Sequence, residues 1–161
     1  MTEDASRAAD IDATCRLTGE FTLRSGQVAD TYFDKYLFES DPALLARVAE
    51  RMVDLVPADT ELLGGLELGG IPIVTALSAI TRHPALFVRK EAKTYGTCKL
   101  AEGPPVEGRR ITLVEDVITT GASALKAVER ARLHQLVPVH VIALVDRQEE
   151  GGRQAIEREA P

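Results

Sequence analysis

From residue 60 onward, short and nearly continuous apolar runs alternate with stretches of helical periodicity. No other feature of the chain constrains its fold as much. The runs are ELLGGLEL (61–68), PALFVRK (84–90), ITLVED (111–116) and PVHVIALVD (138–146). A strand with one wet face alternates apolar and polar residues; these do not, so both faces must be covered. Between the last two runs, ASALKAVERARLHQL sets Leu125, Val128, Ala131 and Leu133 on one side of a helix of about four turns. Between the first two, a Gly-Gly turn leads into the small-residue segment IPIVTALSAI (71–80). Strands separated by helices imply right-handed crossovers and a parallel sheet, an α/β fold.

The first sixty residues differ. A helix is expected near 11–17, then extended GEFTLRSG (19–26) and TYFD (31–34), then a helix in PALLARVAERMVDLV (42–56). Pro42 suits that helix's first turn, and Asp41 or Ser40 its N-cap. The expected organisation is one domain, 1–161, with a small N-terminal hood (1–58) packed over one edge of a core sheet (59–161). Residues 91–108, EAKTYGTCKLAEGPPVEG, put three glycines and two prolines between two strands where a helix would be usual. A connection this long is expected to be a flexible active-site loop.

At 161 residues the chain is the size of one ordinary domain, and no apolar run approaches the ~18 residues of a membrane span. MTEDASRAAD lacks the apolar core of a secretion signal and the arginines of a transit peptide, so a cytoplasmic protein is expected, with no membrane partner. Cys15 and Cys98 are far apart and lack metal-ligand spacing, and read as free thiols. A formal net charge of −6 excludes a broad nucleic-acid surface, which needs clustered cations.

In open α/β sheets ligands bind beyond the carboxyl ends of the strands. Three such ends carry polar chemistry: Glu67 to Gly70, Arg89 to Lys93, and Glu115 to Ser123. Thr119, Thr120, Gly121 and Ser123 directly precede a helix, which suits a phosphate held by backbone N–H groups and hydroxyls, or equally an ordinary capped helix start. Glu115 and Asp116 repel an anion. Their natural partners are vicinal sugar hydroxyls, with magnesium offsetting charge; the alternative is a solvated acidic pair. Arg89, Lys90 and Lys93 stand together on an acidic chain and suit a more heavily charged phosphate group, or a solvated face. Gly69 and Gly70 permit close backbone approach to the same anion, or simply a turn.

A phosphate, a sugar diol and a pyrophosphate together describe 5-phosphoribosyl 1-pyrophosphate (PRPP). LVEDVITTGAS resembles the PRPP motif of the type I phosphoribosyltransferases. In order along the chain, GEFTLRSG, YFDKYLFES, GGIPI, VRKEAKTYGT and ALVDRQEEGG resemble segments of the orotate phosphoribosyltransferase family, over roughly Gly19 to Gly152. The resemblance implies a type I phosphoribosyltransferase fold and a cytoplasmic enzyme of pyrimidine (UMP) biosynthesis. The reaction it implies takes PRPP and orotate to orotidine 5′-phosphate and pyrophosphate, with Mg2+. It also implies a homodimer whose loop reaches into the partner's site.

Carried over by motif, Glu115, Asp116 and Lys93 are the expected catalytic residues. PRPP falls to Gly69, Gly70, Arg89, Lys90, Lys93, Tyr95, Glu115, Asp116, Val117, Ile118, Thr119, Thr120, Gly121, Ala122 and Ser123. Orotate falls to Arg24, Phe33, Thr119 and Arg147, with Phe33 packed on the ring or else buried in the core. The metal is held mainly through substrate, with Asp116 as its protein ligand.

The chain departs from the family at three places. Tyr95 stands where many members have a loop histidine, Gly69 replaces a lysine, and little chain follows Arg147. Two other functions compete: a phosphoribosyltransferase for another base, and a non-catalytic PRPP-binding regulator.

Overall fold

The computed structural model describes residues 3–23, 26–90, 101–148 and 151–160. They divide into two compact units, Met1–Arg47 and Val48–Pro161.

The first unit opens on helix α1 (Glu3–Cys15), longer than the expected 11–17. Strands β1 (Arg16–Thr22) and β2 (Val28–Phe33) then pair antiparallel, with Arg16 opposite Phe33. The Phe21 and Tyr32 rings stack at a tilt, 5.5 Å between centroids. A single turn of helix, α2 (Tyr36–Glu39), follows, which the sequence reading did not anticipate. Helix α3 (Pro42–Met52) starts where expected. Asp41 is its cap: one carboxylate oxygen accepts the N–H groups of Ala43 at 2.9 Å and Leu44 at 3.0 Å. The Ser40 hydroxyl instead donates to the Leu37 carbonyl.

The second unit is built on a five-stranded sheet. Its strands are β3 (Leu62–Leu66), β4 (Ala85–Val88), β5 (Ala101–Glu102), β6 (Arg110–Ile118) and β7 (Val137–Asp146), in the order β5-β4-β3-β6-β7. The β3–β4, β3–β6 and β6–β7 pairs are parallel. Strand β5 joins the edge antiparallel, Ala101 opposite Val88 and Glu102 opposite Phe87. The distal part of the long 91–108 connection thus returns to the sheet, while 91–100 lies outside the described residues.

Helix α4 (Gly70–Thr81) packs on β3, burying Ile73, Val74 and Leu77. Helix α5 (Ala122–Leu133) packs with Ala127, Val128 and Ala131 against Leu62, Leu66, Leu86, Ile111 and Leu113. Its buried stripe is Ala124, Ala127, Val128 and Ala131, at i, i+3, i+4 and i+7. Leu133, expected on that face, is 74% exposed, because two positions past Ala131 at about 100° per residue is the side of the helix away from the buried stripe. A closing helix, α6 (Gly152–Glu157), buries Ile156 against Ile118 and Ala124. Arg132 of α5 holds the chain just beyond it, donating to the side chain and the carbonyl of Glu159, both at 2.7 Å.

Two details govern what the sheet presents at its carboxyl end. The β6–β7 register slips between Ile111 and Thr112: Ile111 faces Pro138 but Thr112 faces His140, so Val139 is an extra residue. Thr112, fully buried on a strand with no room for water, bonds the Thr60 hydroxyl at 2.7 Å. Among the described residues, no helix is long and apolar enough to cross a membrane.

Candidate active site

Strand β6 delivers the acidic pair. Its apolar run Ile111 to Val114 is buried by the neighbouring strands and helices, and it carries Glu115 (7% exposed) and Asp116 (3%) into the same dry setting. That disposes of the solvated-pair alternative. Carboxylates this buried need partners. One Asp116 oxygen accepts the Val117 N–H at 2.8 Å, and Glu115 accepts the Asp116 N–H at 3.3 Å.

Immediately beyond, residues 119–121 turn the chain into α5. Gly121 is the N-cap with φ 75°, a left-handed conformation that a side chain resists, and the Ala122 N–H reaches the Thr120 hydroxyl at 3.3 Å. Glu115 and residues 117–124 line one small hollow at this turn, so the carboxylate and the helix N-terminus open on the same space. A helix start with free N–H groups attracts anions, whereas the carboxylates require hydrogen-bond donors. The hollow therefore suits a ligand that is phosphate at one end and polyhydroxylic beside it.

Helix α6 forms the back of this turn. A Cβ on Gly152 would lie 2.7 Å from the Thr120 carbonyl carbon and 2.8 Å from the Gly121 nitrogen, and closer still to the Thr119 carbonyl oxygen. Only glycine lets α6 approach so near. The sequence reading missed this support, whose one local signal is the Gly151-Gly152 pair before a short amphipathic stretch. Arg147 is brought in by the β6–β7 ladder: Asp146 pairs with Ile118, and the Arg147 N–H donates to the Ile118 carbonyl at 3.0 Å. Two of the residues assigned to orotate, Thr119 and Arg147, thus sit side by side.

The basic cluster begins where β4 ends. Arg89 is half-buried, and its Nε lies buried with no hydrogen-bond partner among the described residues, a donor suited to an anionic oxygen. Lys90 is exposed, and its backbone N–H donates to a Glu67 side-chain oxygen at 2.5 Å. Glu67 thereby connects the ends of β3 and β4; a cis peptide joins it to Leu68. Gly69 caps α4 in ordinary helical conformation. Gly70 is held against β6, where a Cβ would come within 2.5 Å of the Val114 carbonyl oxygen, so helix packing alone accounts for its missing side chain.

Lys93, Tyr95 and Arg24 lie outside the described residues, as does Cys98. Phe33 ends β2 in the first unit and is 40% exposed, which removes the buried-core alternative for it. Cys15 is a buried free thiol, and burial pushes its pKa up.

Among the described residues no group of three or more His, Cys, Asp or Glu side chains could form a metal cage. A buried pair of adjacent carboxylates is still a hard-oxygen donor set that fits Mg2+, which commonly keeps waters and substrate oxygens beside one or two carboxylates.

No protein-family model matches the chain. Named relatives do. It is 62% identical over 151 residues to the orotate phosphoribosyltransferase of a Nocardioides species, covering 94% of this chain and 84% of that one. It is 43% identical over 141 residues to the Methanocella arvoryzae orotate phosphoribosyltransferase, covering 88% and 80%. Among solved structures it resembles Mycobacterium tuberculosis orotate phosphoribosyltransferase in complex with Fe(III) dicitrate: TM-score 0.83, 36% identity, 98% of this chain and 91% of that one. The same enzyme in complex with PRPP matches with TM-score 0.79 and 32% identity, at coverages of 98% and 91%. With the buried acid pair, the capped turn and the parallel sheet already in place, these likenesses establish that the chain belongs to the orotate phosphoribosyltransferase family.

Proposed function

We propose that the two charged ends of PRPP are held by residues 117–123 and by the basic end of β4, while Glu115 and Asp116 accept hydrogen bonds from the ribose hydroxyls between them. The chain transfers the phosphoribosyl group of PRPP to orotate, giving orotidine 5′-phosphate and pyrophosphate in pyrimidine biosynthesis. The observation that carries the division of labour is the hollow at the end of β6, where a buried carboxylate adjoins the N-terminus of α5.

Displacement at the anomeric carbon builds positive charge on the ribose ring and negative charge on the departing pyrophosphate. The carboxylates beneath the ribose favour the first, and Arg89, Lys90 and Lys93 the second. Bound through PRPP oxygens and Asp116, Mg2+ would neutralise part of the leaving-group charge. Orotate is an anion, which gives Arg24 and Arg147 their role. Phe33 supplies an apolar face for the ring, and Thr119 serves both substrates. Tyr95, in the position of the family's loop histidine, donates a hydrogen bond to pyrophosphate without acting as a proton carrier, since its ordinary pKa is near 10.

In this reading the protein works in the cytoplasm as a homodimer, with the loop of about 91–108 contributed to the partner's site. Exposed Val28, Tyr32, Phe33, Tyr36 and Leu37 in the first unit are the apolar surface such an assembly would cover.

Purified protein with Mg2+ and PRPP should consume orotate in preference to uracil, hypoxanthine or guanine. PRPP binding with no turnover of any base would replace the enzyme with a regulator.

A further inference from the structure

The end of β4 is held down by a residue that none of the site motifs contains. Arg130, on α5, donates from Nη1 to the Lys90 carbonyl at 2.6 Å and to the Arg89 carbonyl at 3.3 Å. Strand pairing stops at Val88, so these carbonyls lie beyond the ladder. With Glu67 accepting the Lys90 N–H at 2.5 Å, the backbone of Lys90 is gripped on both sides, from β3 and from α5.

Apolar packing does little to fix this corner. Arg130 borders an apolar cavity of about 400 Å3 that Val88, Ala101, Ala127 and Ala131 also line. Among the described residues, the short alanines of α5 leave space between that helix and the end of β4. A charged, directional hydrogen-bond donor substitutes for packing here, and α5 is the helix whose first turn bounds the phosphate hollow.

We propose that Arg130 is a positioning residue for the pyrophosphate end of the site, fixing the Arg89–Lys90 backbone relative to the α5 phosphate turn so that both ends of PRPP are engaged together. The inference rests on the reading that Arg89 and Lys90 hold pyrophosphate. It concerns placement, so it should appear in the Michaelis constants of the ligands that carry pyrophosphate and not in those of the ligands that lack it.

The test is full steady-state kinetics in both directions on Arg130→Met, Arg130→Lys, Arg89→Ala and Lys90→Ala. Methionine keeps an unbranched stem beside the cavity but removes the donor. Arg130→Met should raise KM for PRPP, and for pyrophosphate in the reverse direction, by about tenfold, the scale of one lost charge-assisted hydrogen bond. KM for orotate and for orotidine 5′-phosphate should stay within about twofold. Arg130→Lys, which keeps the charge but not the fork, should fall between. If Arg130→Met lowers yield or stability, Arg130→Lys gives the same selective pattern at smaller size.

Pyrophosphate-selective shifts in Lys90→Ala or Arg89→Ala but not in either Arg130 variant would overturn the positioning role alone. No such shift in any of the four would overturn the pyrophosphate assignment and this inference with it. A uniform loss of kcat with all four KM values unchanged in the Arg130 variants would reduce Arg130 to a structural residue.

Discussion

Gly152→Ala adds one methyl group, and the structure says where it must go. The new Cβ would stand 2.7 Å from the Thr120 carbonyl carbon and 2.8 Å from the Gly121 nitrogen. Comfortable contact needs about 3.5–4.0 Å, so α6 and the 119–121 turn must part by roughly 1 Å. Each atom in the way is backbone, so no side chain can rotate aside. Overpacking of this kind costs about 1–3 kcal/mol, against which alanine's better helix propensity returns at most about 1 kcal/mol. The larger effect is on the ligand: a 1 Å displacement of a positioning element can cost about 100-fold, so kcat/KM for PRPP should fall by about 10- to 100-fold.

Gly151→Ala is the control. Gly151 has φ 68°, so alanine is strained there, but its Cβ would meet only the Gln154 side chain at 3.7 Å. It should lose about 1–2 kcal/mol of stability and keep its affinity for PRPP. Thermal melts and PRPP titrations on both variants separate strain from displacement. Wild-type kcat/KM in Gly152→Ala, with an unchanged or higher Tm, would refute the idea that α6 sets the phosphate turn.

Other expectations follow from the site and the first unit. Asp116→Asn and Lys93→Ala should each slow turnover at least tenfold, since each removes charge from the reacting assembly; normal steady-state rates in both would defeat the assignment. Chelating Mg2+ should abolish turnover yet leave Tm nearly unchanged, because the metal is held mainly through substrate; a fall of many degrees would indicate a structural ion. Glu39 is 6% exposed with neither carboxylate oxygen hydrogen-bonded among the described residues, and burial pushes its pKa from 4.5 to about 7, with Lys35 pulling it down and Asp34 raising it further. The folded state thus binds the proton more tightly than the unfolded chain. Stability should fall as pH rises from about 4.5 to 7, by on the order of 3 kcal/mol. Glu39→Gln should flatten that slope and raise Tm at pH 8; identical pH profiles for the two proteins would exclude it.

Much of the core was legible because it rests on local rules. Apolar runs such as ITLV can be covered only as inner strands, and Asp-Pro before a helical repeat announces the start of α3. The acidic pair and the Thr-Gly turn were readable for the same reason: sequence neighbours stay neighbours in space.

What escaped depends on contacts between distant segments. Strand β5 is two residues long and exists because Ala101 and Glu102 find the edge of β4. Helix α6 is six residues, too short to declare itself by periodicity, and is stabilised by burying Ile156. Leu133 is apolar, but it comes two positions past Ala131 and so lies on the side of α5 away from the buried stripe. Arg130 reads as one more polar position on α5; only the fold brings it to carbonyls forty residues away.

The extra residue in β7 has a consequence for how the chain tolerates changes in length. Because Val139 is absorbed by the slip opposite Ile111 and Thr112, the pairs that follow do not depend on it. Deleting Val139 would straighten the ladder and leave every pair after it as it is, since Ile111 would still face Pro138 and Thr112 His140. Asp146 would still face Ile118, and Arg147 would keep its place just beyond it and its face of the sheet. A single-residue deletion at this point of the strand would thereby leave the arginine in the site: β7 carries one residue of slack, and Val139 is where it is stored.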